Sequence, residues 1–222
     1  MIIAVDGPSG AGKSSVCREV AHRLHWSLLD TGAIYRCVAL TAMEQGVDTD
    51  PEACGRIAAE LDIRFVASPK GQKVFIGQRD VTREIRTFET TQCVNHVSPM
   101  PQVREKLLDI QRRLGHAGDT IVEGRDIGSV VFPDADLKVY YTASAEARAT
   151  RRMKEFQAKG ESFDFEQVVQ QIRERDETEF NREHSPLIRC ADAVELDTSD
   201  LNFEQSCRAL MKLITDKARD SQ

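Results

Sequence analysis

No apolar run in the sequence is longer than a strand, so neither a transmembrane helix nor a signal peptide is expected. There is no C-x-x-C pair among the six cysteines, Cys17, Cys37, Cys54, Cys93, Cys190 and Cys207. Neither they nor the five histidines form a metal-ligand pattern; His22 and His25, three apart on one helix, read as surface residues. Scattered thiols of this kind point to the reduced, buried cysteines of a cytoplasmic protein. A basic excess is missing too. The net charge of −6 and a pI near 5.5 argue against bulk attraction to nucleic acid or an anionic membrane, so an anion site has to come from local arginine clusters. Low-complexity segments, internal repeats and an interdomain linker are absent, as is the N-K-x-D motif that reads guanine in GTPase switches. With 41% hydrophobic and 30% charged residues in 222, the composition is that of one soluble α/β domain rather than a disordered chain.

What is present begins almost at once. The apolar run 2–5 has strand length and is followed by Gly7-Pro8-Ser9-Gly10-Ala11-Gly12-Lys13-Ser14, which reads G-x-x-x-x-G-K-S, then by a helical stretch from Ser15. Strand, glycine loop and helix is the setting of a phosphate-binding loop. Glycines let the backbone wrap an anion with its N–H groups inward, and the helix N-terminus adds partial positive charge. Lys13 is placed for the β- and γ-phosphates of a nucleoside triphosphate, and the Ser14 hydroxyl for Mg²⁺.

Farther along, residues 26–30 read as a short buried strand and residues 31–44 as a helix stopped by Gly46. This strand–helix alternation implies a parallel sheet of right-handed βαβ units. Short β-type runs at 63–66, 73–76 and 79–81 suggest an antiparallel meander, an insertion spanning roughly residues 62–98. Helices are expected over 83–97, 101–114, 146–158 and 164–182, and strands over 120–123, 137–142 and 193–197, before a closing helix over 203–217. The expected architecture is a single doubly wound domain over residues 1–222 around a five-stranded parallel sheet, with a short lid over roughly residues 155–165.

Ligands of open parallel sheets collect at the carboxyl ends of the strands. Those ends hold the phosphate loop, Asp30 and Thr31, and Glu123-Gly124-Arg125-Asp126. Asp30 and Thr31 also suit capping of the next helix. Arg125 suits transferred phosphate and Asp126 an amino group, or the two form a structural ion pair closing a turn; Glu123 suits a Mg²⁺ ion held through water, or is a strand-end surface residue. Arg36, one turn into its helix, says little alone. In the helix after Gly160, an apolar stripe of Phe165, Val168, Val169 and Ile172 is continued by Arg175, Asp176, Glu179 and Arg182. This second half either lines a polar cleft or carries ion pairs such as Arg175–Glu179 at i, i+4. The run Arg148, Arg151, Arg152 is a candidate lid element or ordinary helix-surface charge.

Together with Leu28-Leu29-Asp30-Thr31-Gly32-Ala33-Ile34-Tyr35-Arg36, Glu84-Ile85-Arg86, Val103-Arg104, Glu123 to Gly128, Val131 to Ala135 and Arg173 to Asp176, the phosphate loop resembles that of the bacterial cytidylate kinases over essentially the whole chain. The resemblance implies a P-loop fold with a nucleotide-binding insertion and a lid, Mg²⁺ as cofactor, and phosphoryl transfer from ATP to CMP or dCMP. It implies ATP contacts from Gly7, Pro8, Ser9, Gly10, Ala11, Gly12, Lys13, Ser14, Ser15, Arg151 and Arg152. Thr31, Arg104 and Asp126 would read cytosine, and Arg36, Arg125 and Arg182 would hold the monophosphate. The sugar would meet Arg175, Asn95 and Glu179; the family commonly has serine in place of Asn95 and aspartate in place of Glu179. A monomer with no nucleic-acid or membrane partner is expected. The competing readings are UMP or a non-nucleotide alcohol as acceptor, or a nucleotide sensor with negligible turnover.

Overall fold

In the computed structural model, which describes residues 1–68, 71–116, 118–158, 160 and 163–220, strand β1 (Ile2–Asp6) is the centre of a five-stranded sheet. The sheet order is β2 (Ser27–Asp30), β6 (Thr120–Gly124), β1, β7 (Leu137–Thr142), β8 (Val194–Asp197). Parallel register pairs Ile3 with Ile121 and Leu137, and Asp6 with Gly124 and Tyr140, so β1 and β6 end level and β7 runs on to Thr142. The phosphate loop leaves from that edge. Helix α1 (Lys13–Leu24) and helix α8 (Phe203–Asp220) cover this sheet, burying Val16, Val20, Leu210 and Ile214 against Ile3, Val5, Ile121 and Val139. Helices α6 (Ala145–Ala158) and α7 (Phe165–Asn181) pack through Ala149, Val168, Val169 and Ile172, the stripe read from the sequence. Phe165 is the exception: it is 36% exposed at the head of its helix.

The chain divides into two compact units, Met1–Leu29 with Gly115 onward, and Asp30–Leu114. The second contains α2 (Thr31–Gln45), α3 (Pro51–Glu60), α4 (Phe88–Val97), most of α5 (Pro101–Gly115), and an antiparallel sheet of β3 (Ile63–Ser68), β4 (Gly71–Ile76) and β5 (Arg79–Asp80). The expected insertion lies inside it.

Three local expectations are corrected. The helix expected over 83–97 is broken: Glu84–Arg86 is a 3₁₀ turn, and Thr87, in extended backbone, starts α4 by accepting from the Thr90 N–H at 3.3 Å. Thr90 Oγ1 in turn donates to the Glu84 carbonyl at 2.9 Å, so two threonine side chains compete with helix continuation. In β2 only Leu29 is buried, which fits a strand at the sheet edge rather than a buried one. Gly124 to Gly128 reads in the sequence as a loop at the end of β6, but from Ile127 the chain forms a π-helical turn, Ile127–Val131, seated on Asp6, which accepts from the N–H groups of Ile127 and Gly128 at 2.8 and 2.7 Å. Of the expected lid, Lys159, Glu161 and Ser162 lie outside the described residues, as do Pro69 and Lys70 in the turn of the meander.

Gly7 sets where the loop departs. Its φ is 154°, and a Cβ there would sit 1.9 Å from the Tyr141 carbonyl oxygen of β7. Gly7→Ala is therefore expected to push the loop off β7 and weaken triphosphate binding at least about tenfold with the sheet intact, since a contact this short forces backbone movement. Calorimetric titration beside far-ultraviolet circular dichroism checks it; wild-type affinity would refute the close approach.

Candidate functional site

The phosphate loop has the geometry its glycines permit. Gly10 and Gly12 have φ of 76° and 93°, and Gly12 enters α1 from the left-handed region. Lys13 is buried, and its ammonium donates to the loop's own carbonyls, Gly7 at 2.5 Å and Pro8 at 2.8 Å. Burial, followed by the nearby Arg125 guanidinium, pulls the Lys13 pKa down to about 7 against the opposing carboxylates of Glu123 and Glu179. Ser14 Oγ donates to Glu123 Oε2 at 2.8 Å at the end of β6. A hydroxyl beside a buried carboxylate is a hard-oxygen set, which suits Mg²⁺. Among the described residues no group of three or more His, Cys, Asp or Glu side chains is arranged to hold a metal, so such an ion would draw its other ligands from phosphate and water. Ser15, the next residue, is exposed.

Helix α6 touches the loop from the other side. Arg151 Nη1 donates to the Ala11 carbonyl at 2.7 Å, and Nη2 to the Thr198 carbonyl. Arg148, in the run read as lid or surface charge, is neither: it is 4% exposed, and it donates to the carbonyls of Ala143 at 3.0 Å and Ser9 at 3.1 Å. Both its Nη atoms also meet the Asp176 carboxylate, Nη1 at 2.8 Å. Arg152 is exposed and lies over the Phe156 ring at 5.5 Å.

The end of β6 and the second half of α7 form a charged knot. Arg125 Nε donates to Glu179 Oε2 at 2.8 Å and its Nη1 to the Gly124 carbonyl at 3.1 Å. Arg175 Nε reaches the other oxygen of Glu179 at 3.3 Å. The ion-pair reading of this helix holds for Arg175–Glu179, and Glu179 also bridges to Arg125 at the end of β6. Burial would lift the Glu179 carboxyl and depress both arginines. For Glu179 burial is the largest influence, but the Arg125 charge and hydrogen bond, with the Arg175 and Lys13 charges, together outweigh it and its pKa falls; for Arg125 the carboxylates together outweigh burial and its pKa rises; for Arg175 burial prevails and its pKa falls. Asp126 is buried beside this knot in sequence, and its carbonyl accepts from Val130 and Val131 at 2.9 and 3.2 Å. Arg182 ends α7, donating through Nε to the Ser185 carbonyl. Asp6 was not singled out in the sequence; its position at the carboxyl end of β1 was the available signal. Its burial pushes the carboxyl up to about 6 although two backbone N–H groups oppose the shift.

In the Asp30–Leu114 unit, Asp30 caps α2 by accepting from Ala33 N–H at 3.0 Å and pairs with Arg86 at 3.3 Å. Thr31 is the first helical residue and is buried, so capping belongs to Asp30. Arg36 Nη1 donates to the Ile85 carbonyl at 3.1 Å and Thr91 Oγ1 at 2.7 Å, joining α2 to the 3₁₀ turn and α4. Arg104 lies over the face of Tyr35 at 5.2 Å and donates to the Ser98 carbonyl at 3.0 Å. Asn95 is exposed on α4.

A family model described as cytidylate kinase matches residues 3–216. The chain is 46% identical over 205 residues to a cytidylate kinase of Citrobacter koseri, covering 92% of this chain and 90% of that one. To a cytidylate kinase of Klebsiella pneumoniae it is 43% identical over 217 residues, 97% and 96% of the two chains. An uncharacterized protein from Eubacterium ventriosum shares the fold at a TM-score of 0.52 and 10% identity, over 97% of this chain and 98% of that one.

A buried amine with a pKa near 7 has a consequence for binding. A bound polyphosphate favours its charged form and raises that pKa, so binding takes up a proton in the window above about 7. Triphosphate affinity is therefore expected to fall as pH rises from 7 to 9, with uptake approaching about one proton per site at pH 8. Titration calorimetry at pH 8 in buffers of different ionisation enthalpy measures it; zero uptake would refute the depressed amine.

Proposed function

This chain belongs to the cytidylate kinase family, and on that premise we propose how its residues divide the work of transferring the terminal phosphoryl group of ATP to CMP or dCMP, giving ADP and CDP or dCDP. The observation that carries the reading is the Arg125–Glu179–Arg175 knot at the carboxyl edge of the sheet that also launches the phosphate loop. Two guanidinium groups are kept charged, oriented and part-buried there by one carboxylate, which suits a second phosphate ester.

No general base is needed. The acceptor's own phosphate has a second pKa of about 6 and is an anionic nucleophile at neutral pH. The protein's task is in-line positioning and neutralisation of charge on the transferred group. We assign Arg36, Arg125 and Arg182 to the acceptor phosphate, and Thr31, Arg104 and Asp126 to cytosine. Arg175, Glu179 and Asn95 are assigned to the sugar. Residues Gly7 to Ser15 hold the triphosphate with Arg151 and Arg152, and Lys13 exchanges its two loop carbonyls for phosphate oxygens. Ser14 and Glu123 (the latter through water) would hold Mg²⁺, which when bound neutralises charge between the β- and γ-phosphates. Residues 155–165 serve as a lid that excludes water from the transfer. The protein is read as a cytoplasmic monomer with no membrane or nucleic-acid partner; none of its six cysteines is in a disulfide, and among the described residues no helix is long and apolar enough to cross a membrane.

A steady-state assay with ATP·Mg²⁺ and CMP, dCMP, UMP or AMP as acceptor tests the reaction: the cytosine nucleotides are expected to lead, and turnover of none of them would overturn it. Arg125→Ala is expected to lower kcat by about 10²–10³-fold, the scale of losing one oriented charge donor in a water-poor site, without loss of helical signal. Near-normal turnover would remove Arg125 from the acceptor site. Glu179→Asp shortens the side chain by one methylene, so the CMP/dCMP ratio of kcat/KM is expected to change at least about threefold, as sugar-hydroxyl contacts are length-sensitive. An unchanged ratio would place Glu179 outside sugar recognition.

A further inference from the structure

Arg148 and Asp176 form a buried pair for which the proposed chemistry has no use. The Arg148 guanidinium makes four contacts: the Ala143 carbonyl, the Ser9 carbonyl, and both oxygens of Asp176. Ser9 lies in the phosphate loop, whereas Asp176 lies on α7 between Arg175 and Glu179. A peptide unit is planar and trans, so its carbonyl and the next residue's N–H point in opposite directions. Holding the Ser9 oxygen toward α6 therefore turns the Gly10 N–H away from α6. Arg151, one turn later on the same helix face, does the same for Gly12 through the Ala11 carbonyl. Two arginines of α6 thus set the peptide planes whose N–H groups form the anion cradle. Only Arg148 is also clamped, by a bidentate fork, to the helix that carries Arg175 and Glu179.

We infer that Arg148, acting through Asp176, is a positioning residue that couples the phosphate loop to α7, so that triphosphate and acceptor monophosphate bind with positive cooperativity. The inference rests on the assignment of Arg175 and Glu179 to the acceptor. Occupation of the loop fixes the Ser9–Gly10 peptide, which fixes the guanidinium fork and with it the turn of α7 bearing both acceptor-side residues. Occupation of the acceptor site orders the same fork from the other end. The two events share one ordering cost, and whichever ligand binds second meets a site already arranged.

A comparison pair separates this from simple docking of α6 on α7. Arg173 and Glu146 bridge the same two helices at 2.6 Å but are more than half exposed and touch neither the loop nor Glu179. The test measures the Kd of CMP by calorimetry with and without saturating Mg²⁺ and the β,γ-imido analogue of ATP, in wild type and variants of the full chain. Wild type is expected to bind CMP at least about fivefold more tightly with the analogue present, the low end of ordinary site coupling. Asp176→Asn is expected to bring that ratio within twofold of one, and Arg173→Ala to leave it unchanged. Removing one member of a buried pair can unfold a protein, so Arg148→Met with Asp176→Leu, which removes both charges together, provides a folded second case with the same expected loss. Retained coupling in either folded variant, or equal loss in Arg173→Ala, overturns the inference. So does CMP binding in wild type that ignores the analogue. Failure of CMP to bind at all would sink the acceptor assignment along with it.

Discussion

Like charges resist being gathered, and this fold gathers them at the carboxyl edge of one sheet. Two unit charges about 6 Å apart repel by about 3 kcal/mol at the effective dielectric of a protein site. Lys13, Arg125, Arg148, Arg151 and Arg175 can stay there only because each has an internal counterweight. Lys13 rests on the carbonyls of Gly7 and Pro8, and Arg151 on those of Ala11 and Thr198. Arg148 is matched by Asp176, while Arg125 and Arg175 share Glu179. The arrangement resembles a phosphate site held in readiness, with carboxylates and carbonyls in the place of phosphoryl oxygens.

Sharing gives Glu179 a particular standing. It is the carboxylate through which Arg125, at the end of β6, and Arg175, on α7, are held together. Arg125 also lowers the pKa of Lys13, so loop and knot form one electrostatic system. Asp6 belongs to the same system from below: it seats the turn after Asp126 by accepting from Ile127 and Gly128, and this fixes where Arg125 and Asp126 leave the sheet.

Much of this was legible in the sequence because it depends on short-range pattern. The phosphate loop, the strand-end acid Glu123 and the charged half of α7 each follow from residues within one or two turns. The Ser14–Glu123 contact follows once the strands are level at their carboxyl ends. What escaped depends on contacts between distant residues. Nothing local shows that Arg125 meets a glutamate 54 positions away, or that Arg148 is buried on Asp176 rather than solvated with its neighbours. Helix periodicity puts Arg148, Arg151 and Arg152 on an α6 surface but does not say which of them another element covers. The break at Thr87 was missed because threonine at a helix start and threonine within a helix look alike until a carbonyl partner such as that of Glu84 is known.

The central claim is that these guanidinium groups recognise a phosphate ester, with the base and sugar adding selectivity. Calorimetric titration of CMP against cytidine, identical apart from the phosphate, tests this most directly. CMP is expected to bind at least about a hundredfold more tightly, since even two charge-assisted contacts contribute about 3 kcal/mol together. Equal affinities for the two would contradict the account.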